Sequence, residues 1–217
     1  MTSRDAILGR IRTALAADPR RPELPPVAQV WPHTGCGVDQ MAQRFLAEIG
    51  EIFGEAYRVP SMGDARRKLA EIMGQEGCSR LGVMDRPLCR ELTAAVAPAA
   101  IAWPQPDWTA AEMAELPAAV IEADCLLADT GSAMIACYTP QDRLLCYLPP
   151  TCVAIATADR LAEHLPAAWP AIAQRAAAPE LRGEFVFVTG PSRTADIEKV
   201  LILGVHGPKR LVVLVVG

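Results

Sequence analysis

Two short, almost uninterrupted apolar segments constrain the fold more than any other feature of this sequence. They are residues 184–189 and 211–216, and they consist mainly of Val, Leu and Phe. Runs of this length and composition are typical of strands that are buried on both faces of a parallel sheet. Residues 195–203, which lie between the two runs, fit a helix, so we expect a β–α–β unit with a right-handed crossover. The sequence therefore predicts an α/β fold, a mostly parallel sheet with helices on both faces.

The remaining apolar patterns extend this organisation along the chain. Helices are predicted for residues 3–16 and 38–53, for a segment capped by Asp64, and for residues near 159–164. Further strands are predicted at residues 56–59, 80–84, 99–103, 125–128, 133–138 and 152–156. A proline-rich run from 19 to 32 lacks apolar periodicity. We therefore expect an N-terminal helix with a proline-rich arm over residues 1–35, and a single α/β domain over residues 36–217.

Composition and charge argue against several classes of protein. The formal net charge of -4 leaves no excess of Lys and Arg to displace counterions from phosphates, so we expect no nucleic-acid partner. The most apolar stretch, residues 211–216, is far too short to cross a bilayer. The first residues are polar and do not resemble a signal peptide. These features predict a cytoplasmic protein with no membrane span.

The seven cysteines do not have the spacing of a metal or cluster site. No two of them form a Cys-x-x-Cys pair, the arrangement that usually places two ligands on one tight loop. The sequence also lacks the Gly-x-Ser-x-Gly, Walker-type and Gly-x-Gly-x-x-Gly motifs. We therefore expect no metal site, no cofactor, and cysteines that are mostly buried as reduced thiols.

The segment that follows the first apolar run carries the strongest local signal for a ligand. A strand is expected to end at Thr189, the chain to turn, and a helix to begin. Unpaired N–H groups at the start of a helix bind anions, and hydroxyl and guanidinium groups strengthen such a site. We therefore predict a site for a small carboxylate or another anion, formed by Gly190, Pro191, Ser192, Arg193 and Thr194. The alternative is that a hydroxyl only caps the helix and that Arg193 is solvated.

A second turn is predicted to line the edge of a pocket with hydroxyl groups. It consists of Thr130, Gly131 and Ser132 between two apolar runs, and Arg143 is a candidate for a second cation near it. The alternative is a hairpin turn whose glycine adopts a positive φ. Asp129 before this turn mimics the catalytic strand of aspartic proteases. That chemistry needs two carboxylates, and a single motif in an α/β chain does not supply them.

Four residues are candidates for a general acid or base: Asp129, Asp196, Glu198 and His206. Asp196 lies close to the start of the predicted helix, so its charge is also explained by the helix dipole. His206 follows the end of that helix, where an imidazolium is stabilised. We expect the turn around His206 to lie at the opposite end of the sheet from Arg193.

Several segments together resemble the lactate utilisation protein C family, which carries the LUD domain. They are residues 128–132 (ADTGS), 148–150 (LPP), 189–198 (TGPSRTADIE) and 203–208 (LGVHGP), with an N-terminal helix that resembles the opening of that family. Ser132 stands where a second threonine is expected, and it keeps the hydroxyl group. The resemblance spans nearly the whole chain.

The resemblance implies a fold like that of glucosamine-6-phosphate deaminase, ribose-5-phosphate isomerase and the coenzyme A transferases. It also implies a role in oxidising L-lactate to pyruvate, together with two partner proteins that bear iron–sulfur clusters. This chain fits the cluster-free subunit, which would position a small carboxylate while its partners carry electrons. Whether the chain is itself an enzyme stays open.

Two other interpretations belong to different classes. One is a standalone isomerase or acyl transferase that acts on a phosphorylated or coenzyme A-linked molecule, with Asp129, Asp196 or Glu198 as the acid or base. The other is a purely structural subunit whose turns only shape the sheet.

Overall fold

A computed structural model describes residues 3–17, 34–179, 181, 184–195, 201–203 and 207–217. The chain divides into two units, residues 1–32 and 33–217. In the first unit, helix α1 (Ser3–Ala17) confirms the predicted N-terminal helix. The predicted proline-rich arm lies outside the described residues.

Twelve strands are described in the second unit. In chain order they are β1 (Glu55–Val59), β2 (Leu81–Val83), β3 (Ile101–Ala102), β4 (Ala118–Glu122), β5 (Cys125–Leu127), β6 (Ser132–Cys137), β7 (Thr151–Thr157), β8 (Leu161–Ala162), β9 (Glu184–Val188), β10 (Arg193–Ala195), β11 (Leu201–Leu203) and β12 (Arg210–Val216). The helices of this unit are α2 (Val38–Glu51), α3 (Met62–Gln75), α4 (Pro87–Thr93), α5 (Ala110–Ala114), α6 (Pro140–Leu145) and α7 (Leu165–Ala176).

Six strands form a fully parallel sheet in the order β1-β12-β7-β4-β2-β3. Its central strands are buried along almost their whole length, as residues 152–156 and 211–215 show. Helices α2, α3, α4 and α6 pack against it. This sheet confirms the predicted α/β class and the buried parallel strands, because an apolar run without alternation can be covered on both faces.

A second, four-stranded sheet has the order β8-β5-β6-β9 and mixes parallel and antiparallel pairs. The chain leaves the first sheet after β4, forms the hairpin of β5 and β6, and returns to the first sheet at β7. Helix α7 packs against β5 and β8 of this second sheet. The sequence did not predict it, because its strands are individually as apolar as those of the first sheet.

The predicted β–α–β unit over residues 184–216 is wrong. Strand β9 pairs antiparallel with β6 in the second sheet, whereas β12 lies between β1 and β7 in the first. The predicted helix over residues 195–203 is also wrong, since its two ends belong to the antiparallel strands β10 and β11. Its apolar positions recur at helical spacing, but two short strands joined by a turn can produce the same spacing by chance.

Two helix starts differ from the sequence prediction. Helix α3 is capped by Ser61, whose hydroxyl accepts from the backbone N–H of Asp64, so Asp64 is the third helical residue rather than the cap. The helix expected near residues 159–164 is a 3-10 turn followed by β8. His164 then caps α7 through Nδ1, which accepts from the N–H of Ala167 at 3.1 Å. Over the described ranges, no helix has the length and apolar character that a membrane crossing requires.

Candidate functional site

The two turns singled out in the sequence lie side by side. Ala133 pairs with Val188 in the register of β6 and β9, so the residues just before Ala133 and just after Val188 are neighbours. Ser132 Oγ lies 2.7 Å from Thr189 Oγ1 and 2.8 Å from Thr130 Oγ1. The structure therefore joins these residues in one chain of hydroxyl groups, across 57 positions of sequence.

Both turns pack closely against the C-terminal end of α2. Gly131 has φ 62°, and a Cβ atom added there would lie 2.5 Å from the backbone nitrogen of Ile49. Gly190 has φ 76°, and a Cβ atom there would lie 2.8 Å from the carbonyl oxygen of Ile52. Both positions therefore require glycine, because each has a positive φ and neither has room for a Cβ atom.

The strand-to-helix turn predicted at Gly190–Thr194 does not form. Arg193 begins strand β10 rather than a helix, so the unpaired N–H groups of a helix start are missing from the described residues here. The N–H of Ser192 donates to the carbonyl oxygen of Pro208 at 2.8 Å, and Pro191 has no N–H to offer. The same contact places residues 207–208 beside Ser192. The prediction that the turn around His206 lies at the opposite end of the sheet from Arg193 is therefore wrong for residues 207–208.

Arg193 is exposed, and its guanidinium carbon lies 5.9 Å from the centre of the Phe53 ring. Phe53 itself is exposed and has φ 65°, just after the end of α2. The carbonyl end of a helix carries partial negative charge, which favours a cation there. The position of Arg193 is thus explained without a bound anion.

The other candidate residues fall in different places. Arg143 pairs with Glu184 at 2.8 Å, and Glu184 lies opposite Cys137 at the other end of β6 and β9 from Ser132. Five residue steps of strand separate Ser132 from Cys137 by about 17 Å, so the structure does not bring Arg143 to the hydroxyl cluster. Asp196, Glu198 and His206 lie outside the described residues, as does the side chain of Thr194.

A cavity of about 360 Å³ opens on the other flank of the same turn. We call it the α2 cavity, and its lining residues are Thr34, Cys36, Gln40, Met41, Arg44, Ala128 and Glu163. Its volume falls within the ~300–1,000 Å³ usual for small-molecule sites. Ala128 lines it while Gly131 packs on Ile49, so residues 128–131 run along α2 from the cavity towards the end of the helix.

Glu163 forms one wall of the α2 cavity and is almost fully buried. Its carboxylate accepts from the N–H of Thr34 at 3.1 Å, from the N–H of Cys36 at 3.1 Å, and from the Thr34 hydroxyl. A buried carboxylate needs such donors to offset its desolvation. Glu163 therefore fixes the segment 34–36 in place as the rim of the cavity.

Two charged side chains at or next to the α2 cavity have groups that a ligand could bind. Arg44 is exposed on α2 and forms no ion pair with any residue that the structure describes. Asp129 follows Ala128, and its Oδ1 is buried with no hydrogen-bond partner among the described residues. Buried polar atoms in proteins are almost always satisfied, so an unsatisfied one indicates a water or a ligand.

The sequence reasoning missed a cluster of buried charges between the two sheets. It consists of Arg86 after β2, Glu122 at the end of β4, Asp124 before β5, Arg160 and Arg175. Arg86 donates to Asp124 Oδ1 at 2.7 Å and to Glu122 Oε1 at 3.3 Å. The side chains of Asp124 and Glu122 are only 1% and 3% exposed. No signal in the sequence links charges that lie so far apart along the chain.

The charge cluster connects strands of both sheets. Asp124 also accepts from the N–H of Ala136 on β6 at 2.8 Å, and Glu122 accepts from the N–H of Leu88 on α4 at 2.8 Å. Burial would lower the pKa of Arg86, but the Asp124 carboxylate more than offsets this and raises that pKa. Arg86 therefore stays charged, and the cluster ties the end of β4 to the second sheet.

The cysteines form no disulfide bonds. All seven are free, and five are buried: Cys89, Cys125, Cys137, Cys146 and Cys152. Burial raises the pKa of Cys125 to about 11 and that of Cys152 to about 12. Across the described residues, no group of three or more His, Cys, Asp or Glu side chains is arranged to hold a metal ion.

Comparison with known proteins identifies related sequences and a related structure. The family model of the LUD domain matches residues 42–216. Lactate utilization protein C of Bacillus pumilus is 31% identical over 111 residues, which are 45% of this chain and 41% of that protein. Lactate utilization protein C of Geobacillus kaustophilus is 33% identical over 94 residues, 43% of this chain and 39% of that protein. The matched segments thus span about two fifths of the length of these relatives.

A solved structure shares the fold. The crystal structure of a DUF162 family protein from Deinococcus radiodurans matches 84% of this chain and 99% of that chain, with a TM-score of 0.65. The two sequences are 18% identical, so this likeness concerns the fold alone.

Proposed function

The chain belongs to the LUD domain family, and on that basis we propose that it is a subunit of an L-lactate utilisation system. In this proposal the chain has no iron–sulfur cluster of its own and works with partner subunits that do. It holds a small carboxylate, L-lactate or its oxidation product pyruvate, in the α2 cavity. The names of the Bacillus and Geobacillus relatives support the assignment to lactate utilisation.

The state of the cysteines supports the cluster-free part of the proposal. Cluster ligands are thiolates, usually with at least two on one tight loop. Here burial raises the pKa of Cys89, Cys125 and Cys152, and the spacing of the cysteines in sequence does not form such a loop. Removing two electrons from a hydroxy acid needs an acceptor, which we assign to the partner subunits.

One observation carries the ligand part of the proposal: an arginine with no ion-pair partner in the described part of the chain lines a cavity of suitable size. A guanidinium group binds a carboxylate with two parallel hydrogen bonds, and Arg44 is placed to offer them. The unsatisfied Asp129 Oδ1 next to the cavity is a candidate acceptor for the hydroxyl group of lactate. The anion is thus assigned to the α2 cavity rather than to residues 190–194, where the expected helix start is missing.

Calorimetric titration of the purified chain with L-lactate and with pyruvate tests this assignment. Arg44→Gln is expected to weaken L-lactate binding by about 10- to 100-fold, since a hydrogen bond to a charged group contributes ~1.5–3 kcal/mol. Arg67→Gln on α3, where the side chain is 76% exposed and outside the cavity, is the matched control and should bind like the wild type.

Arg193→Gln distinguishes the two possible sites. If Arg193→Gln weakens binding and Arg44→Gln does not, the carboxylate binds at residues 190–194 instead of the α2 cavity. If neither variant changes the affinity, or if the wild type binds neither acid, the carboxylate-holding role is refuted.

Co-purification tests the subunit part. A tagged chain, expressed in its own organism grown on lactate, should elute with iron, acid-labile sulfide and lactate-dependent dye reduction. The purified chain alone should not reduce the dye. The proposal fails if the chain elutes alone and its deletion leaves lactate oxidation in the lysate unchanged.

A further inference from the structure

A second cavity lies at the carboxyl ends of strands β2 and β3. It has a volume of about 270 Å³ and is lined by residues 83–85, 103–106, 139 and 141–142. It shares no lining residue with the α2 cavity. Open α/β sheets bind ligands outside the carboxyl ends of their strands, near the point where successive connections change direction.

The topology places such a point beside this cavity. From β2 the chain moves outward to the edge strand β3, whereas from β4, the other neighbour of β2, it leads inward towards β7. The connections that follow β2 and β4 therefore run in opposite directions, and a crevice opens between their ends.

Trp103 is the aromatic residue that lines this cavity. The guanidinium carbon of Arg90 lies 4.8 Å from the centre of the Trp103 ring. Arg90 lines an adjoining hollow on Trp103 but not the cavity itself. Trp103 therefore borders both spaces. Aromatic side chains of this kind are platforms on which planar rings stack.

The wall around Trp103 is fixed by hydrogen bonds. The side-chain amide of Gln141 is almost fully buried and donates to the carbonyl oxygens of Pro106 at 2.9 Å and Trp108 at 3.4 Å. The amide of Gln105 donates to the carbonyl oxygen of Trp103 at 2.9 Å. These contacts tie the segment 103–108 to α6, so the cavity is formed before any ligand binds.

The polar groups of the cavity accept hydrogen bonds and carry negative charge. Asp142 Oδ2 accepts from the N–H groups of Tyr138 and Thr139, and Asp85 Oδ1 accepts from Arg90 Nε. The second oxygen of each carboxylate makes no hydrogen bond with the described residues, and no Lys or Arg lines the cavity. Carboxylate oxygens with no hydrogen bond of their own suit a planar ligand with N–H donors.

We propose that this cavity binds an amino-substituted purine base, stacked on Trp103 and donating its exocyclic amino hydrogens to Asp85. The base is recognised as a neutral ring, and adenosine serves as a soluble probe that carries it. The proposal is independent of the carboxylate assigned to the α2 cavity.

Titration of the full chain with adenosine, followed by calorimetry or by saturation-transfer NMR, tests the proposal. Trp103→Leu is expected to weaken adenosine binding at least ten-fold, while Trp169→Leu, which changes an exposed tryptophan on α7, leaves it unchanged. Inosine, in which an oxo group replaces the amino group, should bind more weakly than adenosine.

A second variant keeps the test valid if Trp103→Leu fails to fold. Asp85→Ala changes a side chain that is 65% exposed, so the fold is preserved, and it should weaken adenosine binding at least three-fold. The proposal is overturned if adenosine does not bind at millimolar concentration, if inosine binds as tightly, or if the folded variants bind like the wild type. Binding of L-lactate should be the same in Asp85→Ala as in the wild type, which separates this result from the fate of the proposed function.

Discussion

The buried carboxylate of Asp124 is expected to be the most sensitive single position in the link between the two sheets. Its oxygens accept from Arg86 at 2.7 Å, from Arg175 at 3.0 Å, and from the N–H of Ala136 at 2.8 Å. Asp124→Asn keeps the shape but removes the charge and replaces one acceptor oxygen with an N–H₂ donor. That donor would face guanidinium groups, which are themselves donors only.

The expected loss of stability in Asp124→Asn depends on the buried guanidinium group of Arg86, which loses a carboxylate partner. Removing one partner of a buried ion pair costs ~3–5 kcal/mol. Among the described residues, Arg86 would keep one carboxylate partner, Glu122 at 3.3 Å. Arg86 is only 11% exposed, so it cannot turn to water without moving α4. In a chain of this length, 1 kcal/mol shifts Tm by about 2–4 °C, so we expect Tm to fall by about 6–20 °C.

Urea unfolding followed by circular dichroism measures the change in the free energy of unfolding. The matched control is Asp39→Asn, which breaks the 2.6 Å pair with Arg58 at a side chain that is 82% exposed. Exposed pairs contribute at most ~1 kcal/mol. If Asp124→Asn loses no more stability than Asp39→Asn, the cluster does not hold the sheets together and the reasoning is refuted.

Three further predictions concern other parts of the chain. Gly131→Ala should lose about 1–3 kcal/mol more stability than Gly77→Ala in urea unfolding, because φ is alike at both sites but only Gly131 faces backbone at 2.5 Å. Cys125, with a pKa of about 11, should stay unmodified by iodoacetamide at pH 8 until the chain unfolds, since roughly one thiol in a thousand is ionised. The hydrogen bond from Arg210 lowers the pKa of Glu55. The charged carboxylate therefore stabilises the fold at pH values above 4.5, the pKa of Glu55 in the unfolded chain, and this stabilisation is lost as the pH falls through the lowered pKa. Glu55→Gln should therefore lower stability at pH 7, by less than about 1 kcal/mol, and the difference from the wild type should vanish in acid.

Each of these three predictions is contradicted by a different result. Equal losses for the two glycine variants would mean that α2 can move away from the turn. Rapid alkylation of Cys125 in the native chain would show that the second sheet opens. A stability difference for Glu55→Gln that persists in acid would place its origin in packing rather than in charge.

The features of the fold that depend on a local sequence pattern are predicted correctly. The uninterrupted apolar runs of β7 and β12 are covered on both faces, as their composition indicates, and the helix of residues 38–53 is confirmed as α2. The glycine at position 131 has the positive φ that a tight turn requires. These features depend on residues that are close together in sequence, so a single segment carries the information.

The sequence fails where partners are distant or where two sheets compete for similar strands. Strand β9 is as apolar as a central strand of the first sheet, and only its pairing with β6 places it in the second. Glu122, Asp124 and Arg86 each look like ordinary solvated charges, because burial together depends on tertiary packing. The α2 cavity combines residues 34–44, 128 and 163, and no periodicity connects these segments.

The position of β12 has a consequence for how the chain is made. This strand follows the other eleven described strands in sequence, yet it lies between β1 and β7 and pairs Glu55 with Val212. During synthesis, β1 therefore has no neighbour at its inner edge until residues 210–216 have left the ribosome. Sheets completed by such distant pairings fold slowly and expose strand edges meanwhile. The nascent chain is thus expected to depend on chaperones until β12 fills the gap.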